Sequence, residues 1–251
     1  MSKPRLGIIQ SRGMGDIIIA LPIAHHYHKQ GWDIYWPVCE PWRAQLSAVA
    51  PWVNWVSIQA DSGAFFYDTP MQRLKNLKMD EILPLYQALT GHPEFTSQPW
   101  FQHTSFDQYK YIRAGVPFKN KWLLRDCITR DLDREQQLFD RVNPQGPYVL
   151  THLTSSEQTV RLPEGLIPPE YQVIAVTEEG WLFDWLTLVE RAEALIMTDS
   201  SLANLVDQLE IPVEKYFIPQ HHIGLTPVHG SDWQWIANPD LKRSATIFQV
   251  G

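Results

Sequence analysis

Cysteine is scarce in this sequence, and no long hydrophobic segment is present. The two cysteines, Cys39 and Cys127, lie far apart and lack the spacing of a metal site, so we expect reduced thiols in a cytoplasmic protein. No apolar run approaches the roughly 20 residues that a membrane-spanning helix needs, so no transmembrane segment is expected. The first residues lead directly into a strand pattern, so we expect no signal peptide.

Positive charge is scarce in the second part of the chain. Residues 147–251 carry 5 Lys and Arg against 14 Asp and Glu, whereas residues 1–146 carry 16 against 14. Such asymmetry suggests two units with different partners. The net charge of −7 weighs against a nucleic-acid partner without excluding one.

Apolar strand patterns and helix patterns alternate in both parts of the chain. Strand, helix, strand, helix and strand follow one another over residues 5–58, and the alternation restarts at 148 after the breaker cluster 143–147. This order is typical of parallel sheets with crossover helices. The sequence therefore predicts an α/β protein with two Rossmann-like parallel-sheet domains facing a cleft, residues 1–145 and 146–251.

Three segments do not fit this alternation of strands and helices. Residues 80–86 (DEILPLY) are ambiguous around Pro84, and the proline-rich residues 155–170 indicate a long loop where a helix is expected. The tail from residue 220 fits no regular pattern. The assigned strands remain sufficient to place the polar segments that follow them.

Ligands of doubly wound sheets bind at the carboxyl ends of the strands, which directs attention to SRGMGD, residues 11–16. A dinucleotide fingerprint would need a third glycine where Ile18 stands, so an NAD site is not expected. Two interpretations of Asp16 remain. It is either the N-cap of the following helix or a general base at the edge of the cleft.

The second part of the chain offers a candidate anion site. Asp199 and Ser200 lie at a strand-to-helix junction, where free amides and the helix dipole favour a diphosphate, although a simple cap explains them equally well. Arg161 follows a strand and suits phosphate geometry, with a solvated loop arginine as the alternative. No His, Cys or Asp spacing supports a metal site.

Four segments together resemble the heptosyltransferase-like glycosyltransferases, family nine, which have the GT-B fold. They are SRGMGDIIIALP (11–22), APWVNWVSI (50–58), THLTSSEQTVRLP (151–163) and DSSLANLVDQLEIP (199–212). The sequence departs from the family at Ser201, where glycine is usual, and at Asn204, where the family has histidine. These departures leave the sugar, the acceptor and the activity itself open.

The resemblance implies a cytoplasmic, inverting, metal-independent transferase that moves a sugar from a nucleotide-diphosphate-sugar co-substrate to a hydroxyl acceptor, with no other cofactor. Asp16 would be the catalytic base. The donor would contact Gly15, Thr154, Ser155, Arg161, Thr177, Asp199, Ser200, Ser201 and Asn204. The acceptor side would comprise Ser11, Arg12, Gly13 and Met14.

The acceptor class stays open among a glycan, a lipid-linked glycan, a protein and a modified base. Two alternatives to this function remain. One is a non-catalytic GT-B-like module that binds a nucleotide-sugar or a partner, and the other is a sugar transferase acting on modified nucleic acid.

Overall fold

The computed structural model describes residues 2–59, 63–86, 92, 104–155, 158–220, 227 and 229–238. Within these residues the chain forms two parallel β-sheets with helices between the strands. The predicted α/β class with two parallel sheets is confirmed.

The first sheet has the strand order β3-β2-β1-β4, and all neighbours are parallel. Its strands are β1 (Arg5–Ile9), β2 (Asp33–Cys39), β3 (Asn54–Ile58) and β4 (Glu81–Pro84). The helices of this part are α1 (Met14–Lys29), α2 (Glu40–Val49), α3 (Asp68–Asn76) and α4 (Phe106–Arg113). The ambiguous segment 80–86 thus contains an edge strand, where a proline is tolerated because one side of the strand needs no partner.

The second sheet has the order β6-β5-β7-β8-β9 and is also parallel throughout. Its strands are β5 (Tyr148–His152), β6 (Gln172–Ala175), β7 (Ala194–Thr198), β8 (Glu214–Ile218) and β9 (Trp233–Trp235). The helices here are α6 (Leu186–Glu190), preceded by a 3₁₀ turn at Leu182–Trp185, and α7 (Ser201–Gln208). The unassigned tail therefore supplies the edge strand β9.

Helix α5 (Leu132–Val142) precedes the predicted domain boundary but packs on the helices of the second sheet. Arg134 makes two hydrogen bonds to Asp184, at 3.1 and 2.7 Å, and Glu135 accepts one from Thr187 at 2.8 Å. The boundary at residues 145 and 146 stays a prediction.

The two sheet-containing parts share one hydrophobic core. Residues 17–24 of α1 are all buried, so every face of this stretch is covered. A helix that is apolar all round must pack on more than one side. Helix α1 lies against the first sheet, against α7, and against the 3₁₀ segment Phe118–Asp126. This packing brings the first turn of α1 to the first turn of α7.

Candidate functional site

The turn after β1 is shaped by Gly13, which occupies the N-cap position of α1. Its φ of +82° lies in the region that favours glycine. Helix α1 begins at Met14, so Asp16 is the third residue of the helix, and it makes no side-chain capping hydrogen bond. The interpretation of Asp16 as the N-cap is therefore wrong, because Gly13 sets the backbone at the helix start.

The carboxylate of Asp16 is bound instead by a buried lysine that the sequence analysis missed. Its Oδ1 atom lies 2.9 Å from Nζ of Lys110, whose side chain is 3% exposed, whereas the side chain of Asp16 is 34% exposed. The same ammonium group donates to Oε1 of Gln10 at 2.8 Å and to the carbonyl of Leu85 at 3.3 Å. One charged group thus links the end of β1, the start of α1 and the chain after β4.

The predicted acceptor-side residues divide into buried and exposed positions. Ser11 is fully buried, and its N–H donates a hydrogen bond to the phenol oxygen of Tyr86 at 3.0 Å. Burial raises the pKa of Tyr86 to about 12, so it stays a neutral phenol. Arg12 is exposed with its guanidinium 5.6 Å from the ring centre of Phe66, and Met14 is partly buried against the core.

Gly15 brings the two parts of the site together. A Cβ atom at this position would lie 3.0 Å from Nδ2 of Asn204 and 3.4 Å from Cα of Ser201. The neighbouring Asp16 is therefore next to the N-terminal end of α7. The departures from the family sequence, Ser201 and Asn204, fall at this contact.

The first turn of α7 is capped by Ser200, whose Oγ accepts a hydrogen bond from the Ala203 N–H at 3.2 Å. The capping interpretation of Ser200 is thus confirmed. The contact of Ser200 with a nucleotide-sugar donor stays a prediction. The amide of Asn204 donates to the Ser200 carbonyl at 3.0 Å, and its Oδ1 is buried without a partner among the described residues. Asp199, which precedes the cap, is partly buried.

His152, at the end of β5, lies beside this cap. Its Nδ1 is 2.9 Å from Oγ of Ser200. Burial lowers the pKa of His152 to about 4, so the imidazole is neutral near pH 7. It therefore contributes a hydrogen bond, but no positive charge, to the site.

The loop after β5 is braced by its own hydroxyl groups and by Gln220 after β8. Thr154 and Thr159 form an isolated antiparallel bridge, with their side-chain oxygens 3.1 Å apart. Ser155 donates to Oε1 of Gln220 at 2.8 Å. Arg161 follows this turn and is exposed, with no hydrogen bond or ion pair to the described residues.

Thr177, after the edge strand β6, is exposed and accepts a hydrogen bond from the Glu179 N–H at 3.3 Å. The structure thus brings Gly15, Asp16, Ser200, Ser201 and Asn204 to one place. Thr177 and Arg161 lie on loops and make no hydrogen bond to that group. Their roles stay predictions.

A cavity of about 450 Å³ lies elsewhere, between the end of α2, residues 129–135 and residues 181–184. Its lining contains none of the predicted site residues. Three of the charged residues that line it are already paired, Arg130 with Glu135 and Asp184 with Arg134. This cavity is therefore a less suitable candidate site than the junction of α1 and α7.

Among the described residues, no group of three or more His, Cys, Asp or Glu side chains is arranged to hold a metal ion. In the same part of the chain, no helix is both long enough and apolar enough to cross a membrane.

Two parallel-sheet α/β halves, joined at the first turns of α1 and α7, define the class of GT-B-like folds. Solved structures agree with this class. ADP-heptose LPS heptosyltransferase II of E. coli superposes with a TM-score of 0.61 at 13% identity, over 93% of this chain and 90% of that chain. The glycosyl transferase family 9 protein of Veillonella parvula DSM 2008 gives a TM-score of 0.56 at 11% identity, over 94% and 88%.

The dodecameric iron-containing heptosyltransferase TibC, from enterotoxigenic E. coli and in complex with ADP-D-β-D-heptose, gives a TM-score of 0.56 at 12% identity. The match covers 93% of this chain and 62% of that chain. No protein-family model matches the chain, and no curated protein matches it. At these identities the likeness shows the fold, and the expected resemblance to heptosyltransferase-like glycosyltransferases is confirmed at that level.

Proposed function

We propose that this protein is an inverting, metal-independent glycosyltransferase that moves a sugar from a nucleotide-diphosphate donor to a hydroxyl acceptor, in a cleft between its two halves. The observation that carries the proposal is the close approach of Gly15 to Ser201 and Asn204, which places Asp16 beside the start of α7. The first N–H groups of a helix have no partner inside the helix and attract anions. A base and an anion site therefore adjoin, as sugar transfer requires.

The donor is proposed to be a nucleotide-sugar because TibC is similar in fold and is in complex with ADP-D-β-D-heptose. Its diphosphate would lie at the N-terminus of α7, near Ser200 and Asp199. Positive charge would come from the helix dipole and from Arg161, since His152 is neutral. The acceptor would lie on the first half, over Arg12 and the turn at Gly13.

The chemistry follows from these positions. Asp16 takes the proton of the acceptor hydroxyl as the oxygen bonds to the anomeric carbon. The bond from that carbon to the diphosphate oxygen breaks, and the departing diphosphate carries the negative charge to the α7 N-terminus. A single displacement from the opposite face inverts the anomeric centre.

Substitution of the proposed base tests this function. Asp16→Asn keeps the size of the side chain but removes its ability to take a proton at neutral pH. With ADP-D-β-D-heptose and a panel of hydroxyl acceptors, ADP release should fall by about 10²–10⁴-fold, the usual contribution of general base catalysis. Calorimetric affinity for ADP should change little.

Asp33→Asn is the matched control, because Asp33 is a half-buried acid of the first sheet paired with Lys3 at 3.9 Å, outside the site. It should release ADP at the unsubstituted rate. An Asp16→Asn protein that also does so contradicts the proposed base.

The proposed independence from metal has its own test. No divalent-ion site is apparent among the described residues, and the diphosphate would be held by amides and Arg161 instead. EDTA should leave ADP release unchanged. Complete loss of turnover that Mg²⁺ or iron restores would contradict this part of the proposal.

The second candidate is a module that binds a nucleotide-sugar without transferring the sugar. Asn204 favours it, because its amide is buried against Gly15 and bonded to the Ser200 carbonyl rather than directed to a ligand. A thermal-shift screen of ADP, UDP and GDP sugars detects binding by mass action. Stabilisation by a donor with no turnover on any acceptor of the panel would favour the module.

A further inference from the structure

The environment of Lys110 is unusual for a lysine. Its ammonium group is almost fully buried, and its neighbours include three oxygen acceptors from three parts of the chain: Asp16, Gln10 and Leu85. An ammonium group has three N–H donors, so three acceptors fix its position as well as its charge. A buried charge is costly unless it is both paired and hydrogen-bonded, and Asp16 supplies the pairing.

The two oxygens of Asp16 are in different environments. Oδ1 faces Lys110 at 2.9 Å. Oδ2 lies over Gly13, where an added Cβ atom would be only 2.5 Å away, and it accepts no hydrogen bond from the described residues. The carboxylate thus has one anchored oxygen and one that is available on the half-exposed side.

We propose that Lys110 is a positioning residue that holds Oδ1 of Asp16, so that Oδ2 faces the acceptor hydroxyl and receives its proton. This inference rests on the proposed function and extends it to a residue that does not touch the substrate. A carboxylate without this anchor would rotate about its side-chain bonds and lose the geometry on which proton transfer depends.

The rate test uses Lys110→Met, which retains an unbranched apolar side chain of similar length without the charge. With ADP-D-β-D-heptose and an accepted hydroxyl compound, kcat should fall by about 10²-fold, the effect of a small misplacement of a reacting group. KM for the donor should stay the same, and kcat is taken per mole of folded protein, because a partly unfolded sample would also lower the apparent kcat at constant KM. Lys110→Gln, which keeps an N–H donor beside Asp16, should recover part of kcat.

A double-substitution cycle separates positioning from direct action. In the Asp16→Asn protein no base remains to be positioned, so adding Lys110→Met should change kcat by no more than about twofold, close to the error of such comparisons. If the two losses multiply instead, Lys110 acts on a substrate directly and the positioning role is overturned.

Melting temperatures test the pair without any reaction. Asp16→Asn leaves a buried ammonium group without its counter-charge and should melt lower than the unsubstituted chain. Adding Lys110→Met removes the unpaired charge, so the double variant should melt higher than Asp16→Asn alone. A double variant that melts no higher than Asp16→Asn overturns the pairing on which the inference depends.

Lys215→Met is the matched control, since Lys215 is equally buried and is paired with Asp232 in the second half. Its kcat should stay within about twofold of the unsubstituted value. If Asp16→Asn loses turnover while Lys110→Met does not, the inference fails and the proposed function stands. If Asp16→Asn turns over normally, the proposed function fails, and the melting temperatures still report whether the pair exists.

Discussion

The Nζ atom of Lys121 lies 3.3 Å from Oδ2 of Asp207, and both side chains are buried. Lys121 belongs to the 3₁₀ segment of the first half, and Asp207 belongs to α7 of the second. The same ammonium is 3.0 Å from Asp107 on α4, and Oδ1 of Asp207 accepts a hydrogen bond from Trp233 at 2.9 Å. A buried chain of charges therefore joins the two halves on the same helix that contributes to the candidate site.

Asp207→Asn should weaken the fold because it removes one charge from a buried pair. We expect a loss of about 3 kcal/mol in the free energy of unfolding, the lower end for such a change, since Asp107 still faces Lys121. Urea denaturation measures it. Glu179→Gln is the control, because Glu179 and its partner Arg141 are both 51% exposed, and the loss of this pair should cost less than about 1 kcal/mol. Equal losses in the two variants would contradict a special role for the buried pair.

The stability contributed by Asp207 should depend on pH. Burial alone would raise its pKa, but the His229 ring, whose Nδ1 lies 3.7 Å from Oδ2, and the charge of Lys121 outweigh burial and lower it from 3.8 to about 2. The folded state therefore favours the carboxylate, so this contribution is complete above about pH 4 and is lost as the pH falls towards 2. Denaturation across that range should show a steeper decline in the unsubstituted chain than in Asp207→Asn. Parallel curves would contradict this linkage.

The fold was largely predictable because buried parallel strands are continuous apolar runs. β1 and β7 are examples, with nearly every residue buried, and such runs have few other interpretations. The edge strands β4 and β9 were not predicted, because one contains Pro84 and the other is only three residues long. The segment directly before α6 is a 3₁₀ turn, where Asp184 accepts a hydrogen bond from the Trp181 N–H at 2.8 Å.

The candidate site was predictable only where neighbours in sequence are neighbours in space. The turn from Gly13 to Asp16 and the cap at Ser200 are local features with recognisable residue types. Lys110 was missed because nothing in its own helix distinguishes a lysine that is buried from one that is solvated. Its partner on α1 is fixed by tertiary packing, and a single sequence carries no signal for that contact.

Gly13→Ala should disturb the site as well as the turn. The positive φ costs alanine about 1–2 kcal/mol, and the new Cβ would displace Oδ2 of Asp16 from a distance of 2.5 Å. Gly31→Ala is the matched control, since Gly31 has φ +94° and no heavy atom within 4 Å of an added Cβ. Both variants should lose similar stability in urea, and only Gly13→Ala should lose turnover, by about 10²-fold. Equal turnover in the two variants would show that the position of Asp16 does not matter.

Arg161→Ala should weaken nucleotide binding without weakening the fold. The Arg161 side chain is exposed and has no ion pair among the described residues, so its removal takes little from the folded state. If it binds the donor diphosphate, its loss should cost about 1.5–3 kcal/mol of binding free energy, the range for a hydrogen bond to a charged group. Calorimetry with ADP on the intact chain measures this difference directly.

Arg191→Ala provides the comparison for this experiment, because Arg191 is another exposed arginine of the second half. It packs over the ring of Phe139 at 4.4 Å and donates to Gln136 at 3.2 Å, so its removal should lower stability slightly and leave ADP affinity unchanged. Unchanged ADP affinity in Arg161→Ala as well would place the phosphate site away from the loop after β5. The N–H groups at the start of α7 would then have to bind the diphosphate without a cation from this loop.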